Sequence, residues 1–166
     1  MKAMEKKILE EGKVLPGGIL KVGSFLNQQI DTAFLAEMAG EFARLYKDAG
    51  VNKVLTIESS GIAIAAAVAL EMGVPMVFGT DYTIVVSSDY LGEKDRVLLV
   101  DDFLANGKAL IGLTELVRQA GGTVVGAAIA IEKGFQGGGD ALRAEGVRVE
   151  SLAIVDSMTD DAITFR

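Results

Sequence analysis

Short apolar runs alternate along this chain with longer stretches in which apolar residues recur every three or four positions. The clearest helical stretch ends near residue 49 and carries Phe34, Met38, Phe42 and Leu45 on one face. Asp31 precedes it, and its side-chain oxygen suits the start of a helix, so Asp31 is predicted as the cap. Further helices are expected at residues 1–12, 62–72, 108–120 and 140–145.

Strand-like runs fill the spaces between these helices. They are short, rich in apolar and β-branched residues, and bounded by turn-forming residues. We predict strands at residues 53–57, 75–78, 82–87, 96–100, 123–131 and 147–154, an extended stretch at 14–22 interrupted by a turn at 16–18, and a glycine-rich loop at 133–139. The alternation predicts an α/β fold with a mostly parallel sheet covered by helices on both faces. No linker or repeat divides the sequence, so we expect a single domain over residues 1–166.

Composition bears on the cellular location of the protein and on the partners that it can bind. Half of the 166 residues are hydrophobic, and the mean hydropathy is +0.37. The longest apolar runs, at 62–70 and 124–131, are nevertheless too short to cross a bilayer. Residues 1–12 also lack the apolar core of a signal peptide. We therefore expect a cytoplasmic protein with no membrane partner. The net charge of −7 and the dispersed basic residues argue against a nucleic-acid partner.

Two residue types that often carry out catalysis are missing. The chain has no cysteine and no histidine. This excludes disulfides, thiolate zinc sites, cysteine nucleophiles and Ser-His-Asp hydrolases. Any chemistry must therefore depend on carboxylates, lysines, backbone dipoles or a bound cation.

The segment 97–109 carries the most specific chemistry. An apolar strand leads into Asp101 and Asp102, and a short loop ending in Asn106 and Gly107 opens a helix. Backbone N–H groups at such a helix start bind phosphate, and ionised carboxylates accept hydrogen bonds from a diol. Together they describe a site for a ribose 5-phosphate. Adjacent aspartates also occur as solvated carboxylates or helix caps, so the pair alone leaves both interpretations open.

This segment resembles the phosphoribosyl-diphosphate signature of type I phosphoribosyltransferases. Its Asp-Asp-Phe-Leu-Ala-Asn-Gly form is similar to that of the bacterial xanthine phosphoribosyltransferases. Residues 20–31, 56–63, 131–136 and 148–153 resemble further segments of the same family, in the same order. The resemblance implies a type I phosphoribosyltransferase-like α/β fold, in which helices flank the central sheet and N- and C-terminal segments form a small hood.

The resemblance also implies roles for individual residues. Asp101 and Asp102 match the catalytic positions that bind the ribose 2- and 3-hydroxyls. The positions that bind phosphoribosyl diphosphate are matched by Ser59, Ser60 and Gly61 on the diphosphate and by Ala105, Asn106, Gly107, Lys108 and Ala109 on the 5-phosphate. The positions that hold the purine are matched by Leu20, Asn27 and Lys133. No residue is assigned as a direct metal ligand.

The implied reaction joins xanthine to phosphoribosyl diphosphate, with Mg²⁺, and yields xanthosine 5-monophosphate (XMP) and diphosphate in purine salvage. The resemblance further implies a homodimer. Two alternatives stay open: a related transferase for guanine, hypoxanthine or adenine, and a non-catalytic regulator that senses phosphoribosyl diphosphate or purine. A transferase suits a chain without histidine or cysteine, because the reaction requires positioning and charge stabilisation rather than a nucleophilic side chain.

One segment departs from the family pattern. The family has a long, partly basic loop between the strand ending at Phe78 and the strand beginning near Thr83, and this loop closes over the substrate. Here residues 79–81 join the two directly, and no basic residue lies between Lys53 and Lys94. Either the natural chain lacks the closing loop or the printed sequence omits it. A true loss predicts that substrate binding survives while turnover falls.

Overall fold

The computed structural model describes residues 1–80, 86–87, 89–159 and 162–166. Its helices are α1 (Lys2–Glu11), α2 (Thr32–Tyr46), α3 (Gly61–Met72), α4 (Lys108–Gln119) and α5 (Gly138–Ala144), with a π-helical turn at Gly23–Asn27 and a 3-10 turn at Gly134–Gln136. Its strands are β1 (Lys13–Leu15), β2 (Ile19–Lys21), β3 (Lys53–Ile57), β4 (Met76–Gly79), β5 (Arg96–Leu104), β6 (Thr123–Lys133), β7 (Val149–Met158) and β8 (Ile163–Phe165).

Six strands form the central sheet in the order β4-β3-β5-β6-β7-β8. All neighbours are parallel except β8, which runs antiparallel to β7. From β3 the chain moves outward to β4, then returns to place β5 on the opposite side of β3 and continues outward in the other direction. The strand order therefore reverses between β3 and β5. This confirms the predicted fold class and opens a crevice at the carboxyl ends of these two strands.

Side chains of β5 alternate between two hydrophobic cores. Leu98 and Val100 belong to the core that includes residues of α2 and α3. Val97 and Leu99 belong to the core that includes residues of α4. All four are fully buried, and burial of each such side chain contributes about 1.5–3 kcal/mol. Two covered faces explain why half of the chain is hydrophobic.

The N-terminal segments form the predicted hood over the later strands. α1 precedes the β1–β2 hairpin, whose turn residue Gly18 accepts a hydrogen bond from Lys133 Nζ at 3.1 Å. A Cβ built on Gly18 would lie 4.0 Å from both Phe135 and Met158. The hairpin turn therefore lies against the carboxyl end of β6 and the end of β7.

Several elements differ from the sequence prediction. β5 continues to Leu104 and includes Asp101 and Asp102, because β6 pairs with it as far as Leu104. α5 begins at Gly138, inside the stretch predicted as a glycine-rich loop. The final predicted strand is displaced to Val149–Met158, and the three-residue β8 was not predicted. Of the strand predicted at 82–87, residues 82–85 lie outside the described residues, and 86–87 are not in a strand.

Among the described residues, no helix combines the length and apolar character that a bilayer crossing requires.

Candidate functional site

The loop that follows β3 meets the carboxyl-terminal part of β5 in the crevice at the ends of these strands. β3 and β5 pair in parallel through Val54–Leu98 and Leu55–Leu99, so both end at the same edge of the sheet. The Ser60 hydroxyl donates a hydrogen bond to Asp102 Oδ1 across 3.0 Å. The structure thus brings together two segments that are 42 residues apart in the sequence.

Gly61 allows α3 to begin directly beside the acidic pair, Asp101 and Asp102. A Cβ at this position would overlap the Thr56 hydroxyl oxygen and lie 3.1 Å from Asp101 Oδ1. Because Thr56 is fully buried, it has no space to withdraw. The glycine therefore brings the positive end of the α3 dipole to the crevice. The Glu58–Ser59 peptide bond, just before this helix, is cis.

The carboxylates of the acidic pair are buried and held by hydrogen bonds, with Asp101 7% and Asp102 5% exposed. Asp102 Oδ1 also accepts from the Phe103 N–H at 3.0 Å, and Oδ2 accepts from the Asn27 side-chain amide at 3.2 Å. Asp101 Oδ1 accepts from the Asp102 N–H at 2.9 Å. Such ordered, enclosed carboxylates argue against the interpretation of the pair as freely solvated surface groups.

The β5–α4 loop, formed by Ala105, Asn106 and Gly107, follows the acidic pair. Gly107 has φ 81°, in the left-handed region that glycine adopts without steric cost. Asn106 Oδ1 accepts a hydrogen bond from the Lys108 N–H at 3.1 Å, which shapes the turn. The loop leads into the 12-residue helix α4, so its backbone amides lie at a positive helix end. This arrangement suits a phosphate.

Asn27, Lys133 and Leu20 occupy different environments around the crevice. Asn27 is exposed and contacts the acidic pair through Asp102. Lys133 is half-buried, with Nζ 5.5 Å from the centre of the Phe103 ring, and burial lowers the pKa of Lys133. Leu20 is only 5% exposed and packs in a hydrophobic core, although its strand follows the Gly18 turn that contacts Lys133.

Glu132 and Arg143 form a buried ion pair at this site that sequence reasoning missed. Glu132 Oε2 lies 2.7 Å from Arg143 Nη2, and the glutamate side chain is almost fully buried. The available signal was an acidic residue at the end of an otherwise apolar strand. Its partner lies 11 positions further on in a short helix, and no local pattern indicates the pairing.

No group of three or more histidine, cysteine, aspartate or glutamate side chains suited to a metal ion occurs among the described residues. A cavity of about 460 Å³ lies away from the crevice, along β4. It is lined by Lys53, Pro75, Met76, Val77, Phe78, Val86, Ser87 and Tyr90.

A helix-start loop and an acidic pair at the switch point of a parallel α/β sheet form a site that suits a phosphorylated sugar. The sequence model of the phosphoribosyl transferase domain matches residues 27–140. The chain belongs to the phosphoribosyltransferase family.

Sequence relatives agree with this assignment, and a solved structure shares the fold. The fold resembles adenine phosphoribosyltransferase from Rhodothermus marinus, with a TM-score of 0.77 at 20% identity over 93% of this chain and 100% of that chain. Among sequence relatives, a xanthine phosphoribosyltransferase of Oceanobacillus iheyensis is 46% identical, over 100% of this chain and 97% of its own. One from Pseudomonas savastanoi pv. phaseolicola is 47% identical over the full length of both.

These relatives contain residues that this chain lacks. Both alignments extend over 189 positions, whereas this chain has 166 residues and is fully included. The alignments therefore include positions at which the relatives have a residue and this chain has none.

Proposed function

We propose that this chain transfers the 5-phosphoribosyl group from phosphoribosyl diphosphate to xanthine and releases XMP and diphosphate. The observation that carries the proposal is the identity of 46–47% to xanthine phosphoribosyltransferases over the whole chain. The meeting of the acidic pair, the β5–α4 loop and the start of α3 in one crevice supports it. Purine salvage is the role that this reaction serves.

In this proposal the crevice binds phosphoribosyl diphosphate at three points. The acidic pair accepts hydrogen bonds from the ribose 2- and 3-hydroxyls. The 5-phosphate lies against the backbone amides of the β5–α4 loop and of Lys108 and Ala109. Ser59, Ser60 and Gly61 contact the diphosphate at the start of α3. The burial of the acidic pair favours a fixed diol geometry, because its hydrogen bonds to Ser60 and Asn27 restrict rotation.

The purine lies on the hood side of the crevice in this proposal. Lys133 provides a cationic donor for a xanthine carbonyl, and Asn27 provides an amide that both donates and accepts. Leu20 on β2 packs in the hydrophobic core and would contribute only the 5% of its surface that is exposed. The hydrogen bond from Lys133 to Gly18 supports this assignment, because it holds the ammonium group beneath the hairpin that carries Leu20.

The reaction breaks the bond between the anomeric carbon and the diphosphate oxygen and forms a bond from that carbon to a purine nitrogen. The purine nitrogen that forms the new bond releases its proton to solvent water, and diphosphate leaves with the electron pair of the broken bond. The sugar passes through a cation-like transition state, as in glycoside cleavage. The chain's own residues orient the two substrates, and the acidic pair lies where negative charge stabilises the developing cation.

Mg²⁺ is the proposed cofactor. The two carboxylates of the acidic pair are too few for an all-protein Mg²⁺ cage, but they suit an ion that is bound mainly through substrate oxygens and water. When bound, the ion neutralises charge on the diphosphate leaving group. Asp101 and Asp102 would hold the ion from the protein side through the ribose hydroxyls or water, and neither is assigned as a direct ligand.

A second candidate function is a sensor that binds phosphoribosyl diphosphate without turnover. The internal residues that the relatives have and this chain lacks favour this candidate. An intact mass of the natural protein near 17.4 kDa would show that the chain truly lacks the closing loop, whereas a larger mass would show that the printed sequence omits it.

A product assay separates the two functions. The protein is incubated with phosphoribosyl diphosphate, Mg²⁺ and, in turn, xanthine, guanine, hypoxanthine or adenine. We expect XMP as the main product. A main product from another base would assign a related purine transferase, and binding of phosphoribosyl diphosphate without any nucleotide would assign the sensor.

We further propose that residues 1–166 act as one cytoplasmic domain that forms a homodimer through α3. This helix carries one charged residue, Glu71, and its Leu70 side chain is 83% exposed. Phe78, on the neighbouring edge strand β4, is 50% exposed. Exposed apolar surface of this kind is typical of a protein interface, and a second copy supplies a matching apolar face.

A further inference from the structure

Glu132, the residue before Lys133, forms an ion pair with Arg143. Three side-chain hydrogen bonds hold its carboxylate. Arg143 donates to Glu132 through both terminal nitrogens, Nη1 to Oε1 at 2.8 Å and Nη2 to Oε2 at 2.7 Å. The Ser151 hydroxyl also donates to Oε2, at 2.5 Å. Burial acts to raise the pKa of Glu132, but these donors outweigh it and lower the pKa, so the carboxylate is charged at neutral pH.

Stability alone does not explain a charged pair in this place. The desolvation of two charges offsets most of their attraction, and apolar side chains of similar volume stabilise a core as well or better. A two-pronged arginine–carboxylate contact, in contrast, fixes direction. Arg143 lies on α5 and Glu132 on β6, and Arg143 also donates to the Val149 carbonyl of β7 at 3.3 Å. The pair therefore fixes the position of α5 against two strands.

The first turn of α5 touches both the ion pair and the β5–α4 loop. A Cβ on Gly139 would overlap the Glu132 carboxylate and lie 2.9 Å from Arg143 Nη1. On the loop side, the Gly138 N–H donates to the Ala105 carbonyl at 3.2 Å. A Cβ on Gly107 would lie 3.4 Å from the Gly138 carbonyl oxygen. Gly139 thus brings the first turn of α5 against the ion pair, and Gly138 brings it against the β5–α4 loop.

We infer that Glu132 and Arg143 are positioning residues for the β5–α4 loop. The pair holds α5 where Gly138 supports Ala105, and this contact sets the direction of the loop amides. Neither residue touches substrate; both act through α5. The identity of the ligand as phosphoribosyl diphosphate rests on the proposed function, whereas the coupling from ion pair to loop does not. A displacement of about 1 Å in a binding group costs up to about 100-fold in rate.

The test uses Arg143→Lys, which keeps the charge and removes the two-pronged contact. The dissociation constant for phosphoribosyl diphosphate, by calorimetry, and its KM are expected to rise about tenfold, while the KM for xanthine stays within about twofold. Hydrogen exchange is expected to rise at the amides of residues 105–109. Arg118→Lys is the matched control, because Arg118 is exposed and pairs with Glu115 within α4; it should change none of these quantities.

Gly138→Ala is the second variant. It keeps both members of the ion pair, and its Cβ would overlap the carbonyl oxygen of Ala105 and the backbone nitrogen of Gly107. The loop is therefore displaced while α5 stays in place, so the variant should reproduce the defect in phosphoribosyl-diphosphate binding. Unchanged affinity and loop exchange in Arg143→Lys would overturn the inference. Equal rises in both KM values, with faster exchange throughout the chain, would indicate a general structural role and would also overturn it. If the parent protein makes no XMP, the proposed function fails, but loop exchange in Arg143→Lys still decides the inference.

Discussion

Ser60 and Asp102 are joined by a hydrogen bond of 3.0 Å between the hydroxyl and Oδ1, which links the start of α3 to the interior of β5. The same carboxylate accepts from Asn27 at 3.2 Å through its other oxygen. The Asp102 side chain therefore connects β5 with the start of α3 and with the π-helical turn of the hood. This carboxylate and its neighbour Asp101 are the first groups to test.

Replacing both Asp101 and Asp102 with asparagine should weaken the binding of phosphoribosyl diphosphate at least about tenfold. The diol loses charged acceptors, whose hydrogen bonds are each stronger than neutral ones by about a factor of two. Calorimetry with the isolated substrate measures the effect. Asp48→Asn is the control, because Asp48 is highly exposed and remote in sequence from the site. Unchanged affinity in the double variant would refute the diol assignment.

Lys133→Ala should raise the KM for xanthine far more than the KM for phosphoribosyl diphosphate. The variant removes a half-buried ammonium group, and a buried donor that binds a substrate carbonyl contributes about 1–3 kcal/mol. Steady-state kinetics with each substrate varied in turn gives the two constants. Lys94→Ala removes an exposed lysine and should alter neither. Equal effects on both substrates would count against a purine contact.

Gly107→Ala should weaken the binding of phosphoribosyl diphosphate and destabilise the protein. A side chain at φ 81° costs about 1–2 kcal/mol, and relief of that strain displaces the β5–α4 loop. Gly73→Ala is a matched control, because Gly73 has φ 66° at the end of α3 with no atom near its Cβ position. Both variants should lose similar stability in urea. If the affinity for phosphoribosyl diphosphate also falls equally in Gly107→Ala and Gly73→Ala, the β5–α4 loop is not the phosphate site.

Glu132→Gln should lose stability in a pH-dependent way. The pKa of Glu132 is lowered in the folded protein from 4.5. Its ionised carboxylate therefore adds to the free energy of unfolding above that value, and this stabilisation disappears as the pH falls through the folded pKa. The parent should exceed the variant by about 2 kcal/mol at neutral pH, less than for a fully buried pair because Arg143 is partly exposed. Urea unfolding across the acid range measures the difference. A gap that does not narrow in acid would contradict the ionised state of Glu132.

Leu70→Glu should convert a dimer into a monomer of about 17.4 kDa. A charge placed on the apolar outer face of α3 opposes burial against a second copy. Analytical ultracentrifugation reports the mass. Leu9→Glu is the control, since Leu9 is also exposed, at 59%, but lies on α1. A parent protein that is already monomeric would exclude the proposed interface.

Local sequence patterns predicted the elements whose causes are local. The bounds of β3 agree with the prediction, and Asp31 caps α2 by accepting a hydrogen bond from the Phe34 N–H, as its residue type indicated. The end of β5 was wrong because pairing with β6 extends the strand through two aspartates that have low strand propensity. Long-range pairing of this kind leaves no periodic signal in the sequence.

Some features of the candidate site were likewise predictable from local sequence, whereas others depend on long-range contacts. The motif around Asp101 and Gly107 was visible because strand, acids, loop and helix are consecutive. The resemblance had already assigned Ser60 and Asp102 to one substrate, but their direct hydrogen bond depends on β3 and β5 being neighbours, which only the fold reveals. The Glu132–Arg143 pair was missed because a charged side chain in a short helix is ordinarily exposed, and only the assembled structure shows what it reaches.

β4 lies at the margin of the central sheet, outside the two strands that form the crevice. Both sides of the crevice come from β3 and β5, in the interior of the sheet, whereas the segment after β4 departs from its edge. The entropic cost of closing a loop grows slowly, by about 0.6 kcal/mol for each doubling of length. A change in the length of the segment after β4 is therefore expected to alter the free energy of unfolding only slightly and to leave both strands of the crevice in place.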